Sequence, residues 1–156
     1  MKEAAAILAA ARAMGDLIAT AESCTGGMVS AAITDIAGSS AIFDRGFVTY
    51  TNTAKMQMLG VKAQTLADHG AVSEQVAAQM AAGAITQSDA TLAVSITGIA
   101  GPGRSDHKPE GRVCFGLAYR DEVTTQTVEF GALGRAQVRL AATNHALGLL
   151  RQALTK

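Results

Sequence analysis

Tryptophan is absent from this sequence and aromatic residues are only 4% of it, so a surface that stacks bases or sugars on aromatic rings is not its working principle. Charge of one sign is lacking as well. Thirteen Lys+Arg stand against thirteen Asp+Glu, a formal net charge of +0, which leaves no basic field for nucleic acid or an anionic membrane. Cysteine is scarce: Cys24 and Cys114 form no CxxC pair and no disulfide framework, which points to free thiols and a cytoplasmic location. No apolar run reaches the roughly 18–20 residues that a bilayer requires, and the Ala-rich start with Lys2, Glu3 and Arg12 is not a secretory signal. Neither GxxxxGK[ST], HExxH, GxSxG nor a clustered Cys/His set occurs, so no P-loop, metal or cofactor is expected. What is present is 49% hydrophobic and 17% charged residues, with 32 alanines. That composition folds, as a single domain over residues 1–156. The expected partner is a small molecule, with a homodimer as the expected assembly.

The pattern predicts a helix over residues 2–14 closed by Gly15, a short buried strand from Leu17 to Thr20, and a helix from Met28 to Ile36. A second strand runs from Phe43 to Tyr50, followed by a short helix capped by Asn52 and ending at Leu59. Ser73 caps a longer helix through Ile85, and Ala90–Ile96 is a third strand. Residues 111–119 and 123–130 suit a hairpin. Leu133, Leu140, Leu147 and Leu154 recur every seven residues and predict an amphipathic helix on the sheet. Helices alternating with strands, then a late hairpin, give an α/β fold: a three-layer α-β-α sandwich with a mixed sheet. If the first three strands are parallel, the loops Glu22–Gly27, Thr51–Lys55 and Thr97–Gly103 share the rim where ligands of such sheets sit.

Those loops carry the chemistry. In Glu22-Ser23-Cys24-Thr25-Gly26-Gly27, a strand turning into a helix exposes N–H groups that suit a phosphate or an oxyanion; a plain capped turn is the simpler alternative. Ser23 and Cys24 are neighbouring candidate nucleophiles. The serine needs a base, and the thiol needs a lowered pKa or is only a small buried apolar group. Lys55 is a candidate base, because a helix start and burial both favour the neutral amine, and Tyr50 stands beside it to orient it or pass a proton. Ser39 and Ser40 follow Gly38 and offer hydroxyls or merely a helix stop. Thr97, Gly98 and Gly101 belong to a glycine-rich loop in the order GxxGxG, without a following helix, which excludes a Rossmann cofactor site. Ser105–Lys108 matches SxxK, but in a loop before Pro109, and is a chance match. Arg135 and Arg139 share one helix face, either to grip a phosphate or as solvated surface.

AESCTGG at 21–27 resembles the CinA C-terminal domain family, as do TDIAGSSAIFDRGFVTYTNTAK (34–55), HGAVSE (69–74), SITGIAGPGR (95–104) and KPEGRV (108–113). The resemblance implies a metal-free amidohydrolase that deamidates nicotinamide mononucleotide in pyridine-nucleotide salvage. It implies Ser23 as nucleophile, Lys55 as base and Tyr50 beside them. Thr25, Gly26, Gly27, Ser39, Ser40, Thr97, Gly98, Gly101 and Arg135 are the implied substrate contacts. A thiol amidase built on Cys24, and a non-catalytic nucleotide-binding or assembly module tied to competence or DNA damage, are the alternatives.

Overall fold

The structure, a computed structural model, describes residues 2–156. Five strands form one sheet: β1 (Ile18–Glu22), β2 (Phe43–Val48), β3 (Leu92–Gly98), β4 (Arg112–Tyr119) and β5 (Glu122–Glu129). Their spatial order is β2-β1-β3-β4-β5. β1 pairs parallel with both β2 and β3, whereas β4 and β5 are antiparallel additions, so the sheet is mixed as expected. The helices are α1 (Lys2–Met14), α2 (Met28–Thr34), α3 (Asn52–Leu59), α4 (Ala63–His69), α5 (Glu74–Thr86) and α6 (Arg135–Leu154).

Alternation along the strands separates two cores. Ile18, Leu92, Val94, Ile96, Val113 and Phe115 face α1, α2 and α6. Ala19, Ala21 and Ala93 point the other way, toward α3 and α5. The second face is lined with small residues, so α5 lies close against the sheet: Ser95 Oγ donates to the Ala77 carbonyl at 2.6 Å. Gly83 of α5 meets α3 equally tightly, and a methyl group there would overlap the Leu59 carbonyl. In an open helix, Gly→Ala stabilises by about 1 kcal/mol. Here the sign reverses: Gly83→Ala is expected to lower the unfolding free energy by about 1–3 kcal/mol, read by thermal or urea unfolding.

Three expectations are corrected. α4 was not foreseen; it buries no residue, so it carries no apolar period to read. Thr51, not Asn52, caps α3, its Oγ1 accepting from the Ala54 amide at 3.0 Å. The leucine heptad is not the buried stripe of α6. Leu133 precedes the helix and is exposed, as is Leu140, while Val138, Ala142, Ala146, Leu150 and Leu154 form the stripe at steps of four, with Leu147 beside it. A straight helix follows a 3.6-residue period and drifts off a strict seven-residue one. Ser73 does cap α5, accepting from the Val76 amide at 3.2 Å.

After β1 the chain turns to α2 on one face of the sheet; after β2 it turns to α3 on the other. The two neighbouring strand ends therefore diverge and leave a crevice between them at their carboxyl rim.

Candidate active site

The turn after β1 is organised by a carboxylate that the sequence did not single out. Glu22 is fully buried. Its Oε1 accepts from Thr25 Oγ1 at 2.7 Å and from the amides of Gly27 and Val29 at 3.2 and 2.9 Å. Its Oε2 accepts from the amide and hydroxyl of Ser30 at 3.0 and 2.8 Å. A buried carboxylate is tolerable only when so fully bonded, and these bonds fix how the chain leaves β1. Arg139 of α6 braces the turn from outside, donating from Nε to the Cys24 carbonyl at 3.0 Å and from Nη2 to the Thr25 carbonyl at 3.4 Å. Glu22→Gln places a donor where an amide or hydroxyl must be accepted. It is expected to cost at least about 2 kcal/mol of stability, measured by denaturant unfolding.

Held by that turn, Ser23 faces Lys55 across the crevice. Lys55 Nζ donates to Ser23 Oγ at 3.1 Å and to the Thr49 carbonyl at 3.0 Å. The lysine is 1% exposed and has no carboxylate partner among the described residues, and burial pushes its amine below the ordinary ammonium range. Cys24, next to the serine, behaves oppositely to a reactive thiol. Burial pushes it up to about 11, so it stays protonated at neutral pH.

A cavity of about 300 Å³ opens over this pair. Thr97, Gly98, Gly101, Tyr50 and Arg135 line it, together with Asn52, Ala71 and Val72, and the loop from Ile99 to Asp106 forms its far wall. Among the described residues, the Tyr50 hydroxyl makes no hydrogen bond to Lys55 or Ser23. It accepts from Arg135 Nη2 at 2.7 Å, and Arg135 Nη1 donates to the Gly101 carbonyl at 2.8 Å. Thr97 Oγ1 is engaged by the Ala71 carbonyl at 2.9 Å, which holds the cavity wall. A larger hollow, about 620 Å³, lies at the opposite rim between Asp16, Thr86 and Tyr119. There the Thr91 and Tyr119 hydroxyls donate to the Asp16 carboxylate at 2.9 and 2.5 Å; the smaller cavity is the candidate because it holds the buried serine–lysine pair.

Five expected contacts are not brought to the cavity. Thr25, Gly26 and Gly27 do not line it. The Thr25 hydroxyl and the Gly27 amide are bound by Glu22, and the Gly26 amide by the Ser23 carbonyl at 3.0 Å. Among the described residues, the amides of Cys24 and Thr25 are the ones in this turn without an acceptor. Ser39 and Ser40 precede β2 and so lie at its amino end, on the rim opposite Ser23. Arg139 faces the turn's carbonyls, not the cavity. Among the described residues no group of three or more His, Cys, Asp or Glu could hold a metal ion, and no helix is long and apolar enough to cross a membrane.

A family model described as the CinA C-terminal domain matches residues 1–154. The chain belongs to the CinA C-terminal domain family. Its CinA-family relatives include the nicotinamide-nucleotide amidohydrolase PncC of Escherichia coli K12, 55% identical over 145 residues, covering 92% of this chain and 87% of that protein. PncC of Enterobacter agglomerans is 54% identical over 136 residues, covering 86% and 82%. A competence/damage-inducible protein of Agrobacterium tumefaciens has the same fold, with a TM-score of 0.94 at 48% identity over 99% of this chain and 94% of that one. A CinA-superfamily protein of Klebsiella pneumoniae matches with a TM-score of 0.94 at 37% identity, covering 99% and 96%.

Proposed function

We propose that this CinA-family chain hydrolyses the carboxamide of nicotinamide mononucleotide to the acid and ammonia, with Ser23 as nucleophile and Lys55 as base. The activity is supported by 55% identity to a protein named nicotinamide-nucleotide amidohydrolase. The residue roles rest on one observation: a buried lysine amine, depressed by its surroundings, hydrogen-bonded to a serine hydroxyl at 3.1 Å inside a cavity.

The chemistry follows from that contact. Uncharged Lys55 accepts the Ser23 proton as Oγ attacks the carboxamide carbon. The developing oxyanion is received by the free amide of Cys24, the residue of this turn that lines the cavity beside Ser23, a good donor lowering the barrier by about 3 kcal/mol. Lys55 then returns the proton to the departing nitrogen and ammonia leaves; water, deprotonated by the same amine, attacks the ester, and Lys55 passes that proton to Ser23 Oγ as the acid product is released. Tyr50 acts through Arg135: the pair ties the β2 end to Gly101 and sets the cavity wall.

Cys24 as nucleophile is disfavoured by its raised pKa and by the direction of Lys55 Nζ, which bonds the serine. A cytoplasmic enzyme with reduced Cys24 and Cys114 accords with this chemistry. A homodimer would draw on exposed apolar side chains such as Met14, Leu133 and Leu140, and sedimentation reads it. The deciding experiment incubates the protein with nicotinamide mononucleotide in the presence of a chelator. Stoichiometric ammonia and the acid product are expected; binding without turnover would establish the non-catalytic module instead.

A further inference from the structure

We propose that Arg104 recognises the phosphate of the substrate and so sets the preference for a phosphorylated nucleotide over its nucleoside, a proposal that rests on the amidohydrolase reading above. Three cations line the cavity: Lys55, Arg135 and Arg104. Two are committed. Lys55 bonds Ser23 and the Thr49 carbonyl, and base chemistry needs it uncharged. Arg135 bonds the Tyr50 hydroxyl and the Gly101 carbonyl. Arg104 is exposed, donates no hydrogen bond and pairs with no carboxylate among the described residues. Asp106, the lining carboxylate, is not within ion-pair distance of it.

The loop presenting Arg104 is anchored on both sides. Before it, the Gly103 amide donates to Glu110 Oε1 at 2.7 Å, and the other oxygen of that carboxylate accepts from the Gly134 amide at 3.1 Å, at the start of the helix that carries Arg135. After it, Ser105 and Lys108 exchange backbone bonds at 3.0 and 2.8 Å. Lys108 Nζ then donates to the carbonyls of His69 and Val72, both at 2.6 Å. Arg104 thus lines the cavity on a backbone anchored before and after it. A mononucleotide bears its carboxamide and its phosphate at opposite ends. With the carboxamide carbon at Ser23, the phosphate reaches toward the far wall, where Arg104 is the cation with donors to give. A guanidinium matches two phosphate oxygens at once.

The test separates binding from turnover. Calorimetry measures nicotinamide mononucleotide and nicotinamide riboside on Ser23→Ala and on Ser23→Ala/Arg104→Gln, both checked for native unfolding. The ratio of the two affinities is expected to fall about tenfold on loss of the guanidinium, with Arg104→Lys intermediate. A ratio unchanged within about twofold overturns the assignment, as does failure of folded Ser23→Ala to bind the mononucleotide. Ammonia release by the unmodified enzyme is scored separately. Its absence, with the ratio still dependent on Arg104, would sink the amidohydrolase reading and leave the phosphate contact standing. Ammonia release with an indifferent ratio would do the reverse.

Discussion

Replacing Ser23 with alanine is expected to lower ammonia release from nicotinamide mononucleotide by at least about 10³-fold, because the nucleophile and its base act as a unit. What survives is the contribution of substrate positioning and of the oxyanion donor. Stability should hardly change. Ser23 Oγ contributes one hydrogen bond, from Lys55, and that amine keeps the Thr49 carbonyl as a partner. The adjacent position supplies the control. Cys24→Ala removes a buried sulfur with a pKa near 11 and leaves the Cys24 amide in place, so activity should remain within a few-fold of the starting enzyme. The reverse outcome, an active Ser23→Ala with an inactive Cys24→Ala, would move the nucleophile to the thiol.

Lys55→Arg is expected to be as inactive as the serine variant, since a guanidinium cannot give up its proton near neutrality and does not fit the space of an amine. Lys55→Met should be inactive too, and it isolates a second effect. The folded protein holds Lys55 below the ordinary lysine value of 10.5, because burial disfavours its charge. The unfolded chain therefore binds more protons than the native one between the folded pKa and 10.5. In that window stability rises with pH. Below the folded pKa the cost of the buried charge is fully present; above 10.5 it has vanished. The difference in unfolding free energy between the parent protein and Lys55→Met should accordingly shift toward the parent as pH is raised. Activity has the same sign: kcat/KM should climb with pH as the neutral amine accumulates and level off at an inflection below 10.5. A profile flat through this range would remove Lys55 as the base, and chemical denaturation at several pH values checks the stability half independently.

The parts of the site that were legible in the sequence are those that sit on loops leaving strand ends. Ser23 and Lys55 are 32 positions apart, yet each follows a strand, and parallel strands bring their exits to one rim. The residues that make the pair work were not legible. Glu22 reads as one more polar group at a strand end. Its function appears only when α2 folds back and offers three amides and a hydroxyl to it. Arg139 meets Cys24 across 115 positions, through the packing of the last helix. Ser39 and Ser40 illustrate the opposite error. A Gly-Ser-Ser turn looks fit for a phosphate wherever it occurs, but residues that precede a parallel strand lie at its amino end. Likewise, of the expected contacts Thr25, Gly26 and Gly27, the amides of Gly26 and Gly27 are ones that the turn uses for itself and Thr25 lies outside the cavity, whereas Cys24 lines it with its amide free.

The exchange of backbone bonds between Ser105 and Lys108 pinches off a tip of two residues, while Glu110 and Lys108 bolt the stem beneath it to two separate helical layers. Lengthening or reshaping that overhang would alter which molecules gain admission without disturbing the serine, the lysine or the sheet that aligns them. On the proposed reading selectivity is modular: a graft confined to residues 104–107 is expected to change substrate preference while leaving the Ser23–Lys55 contact in place.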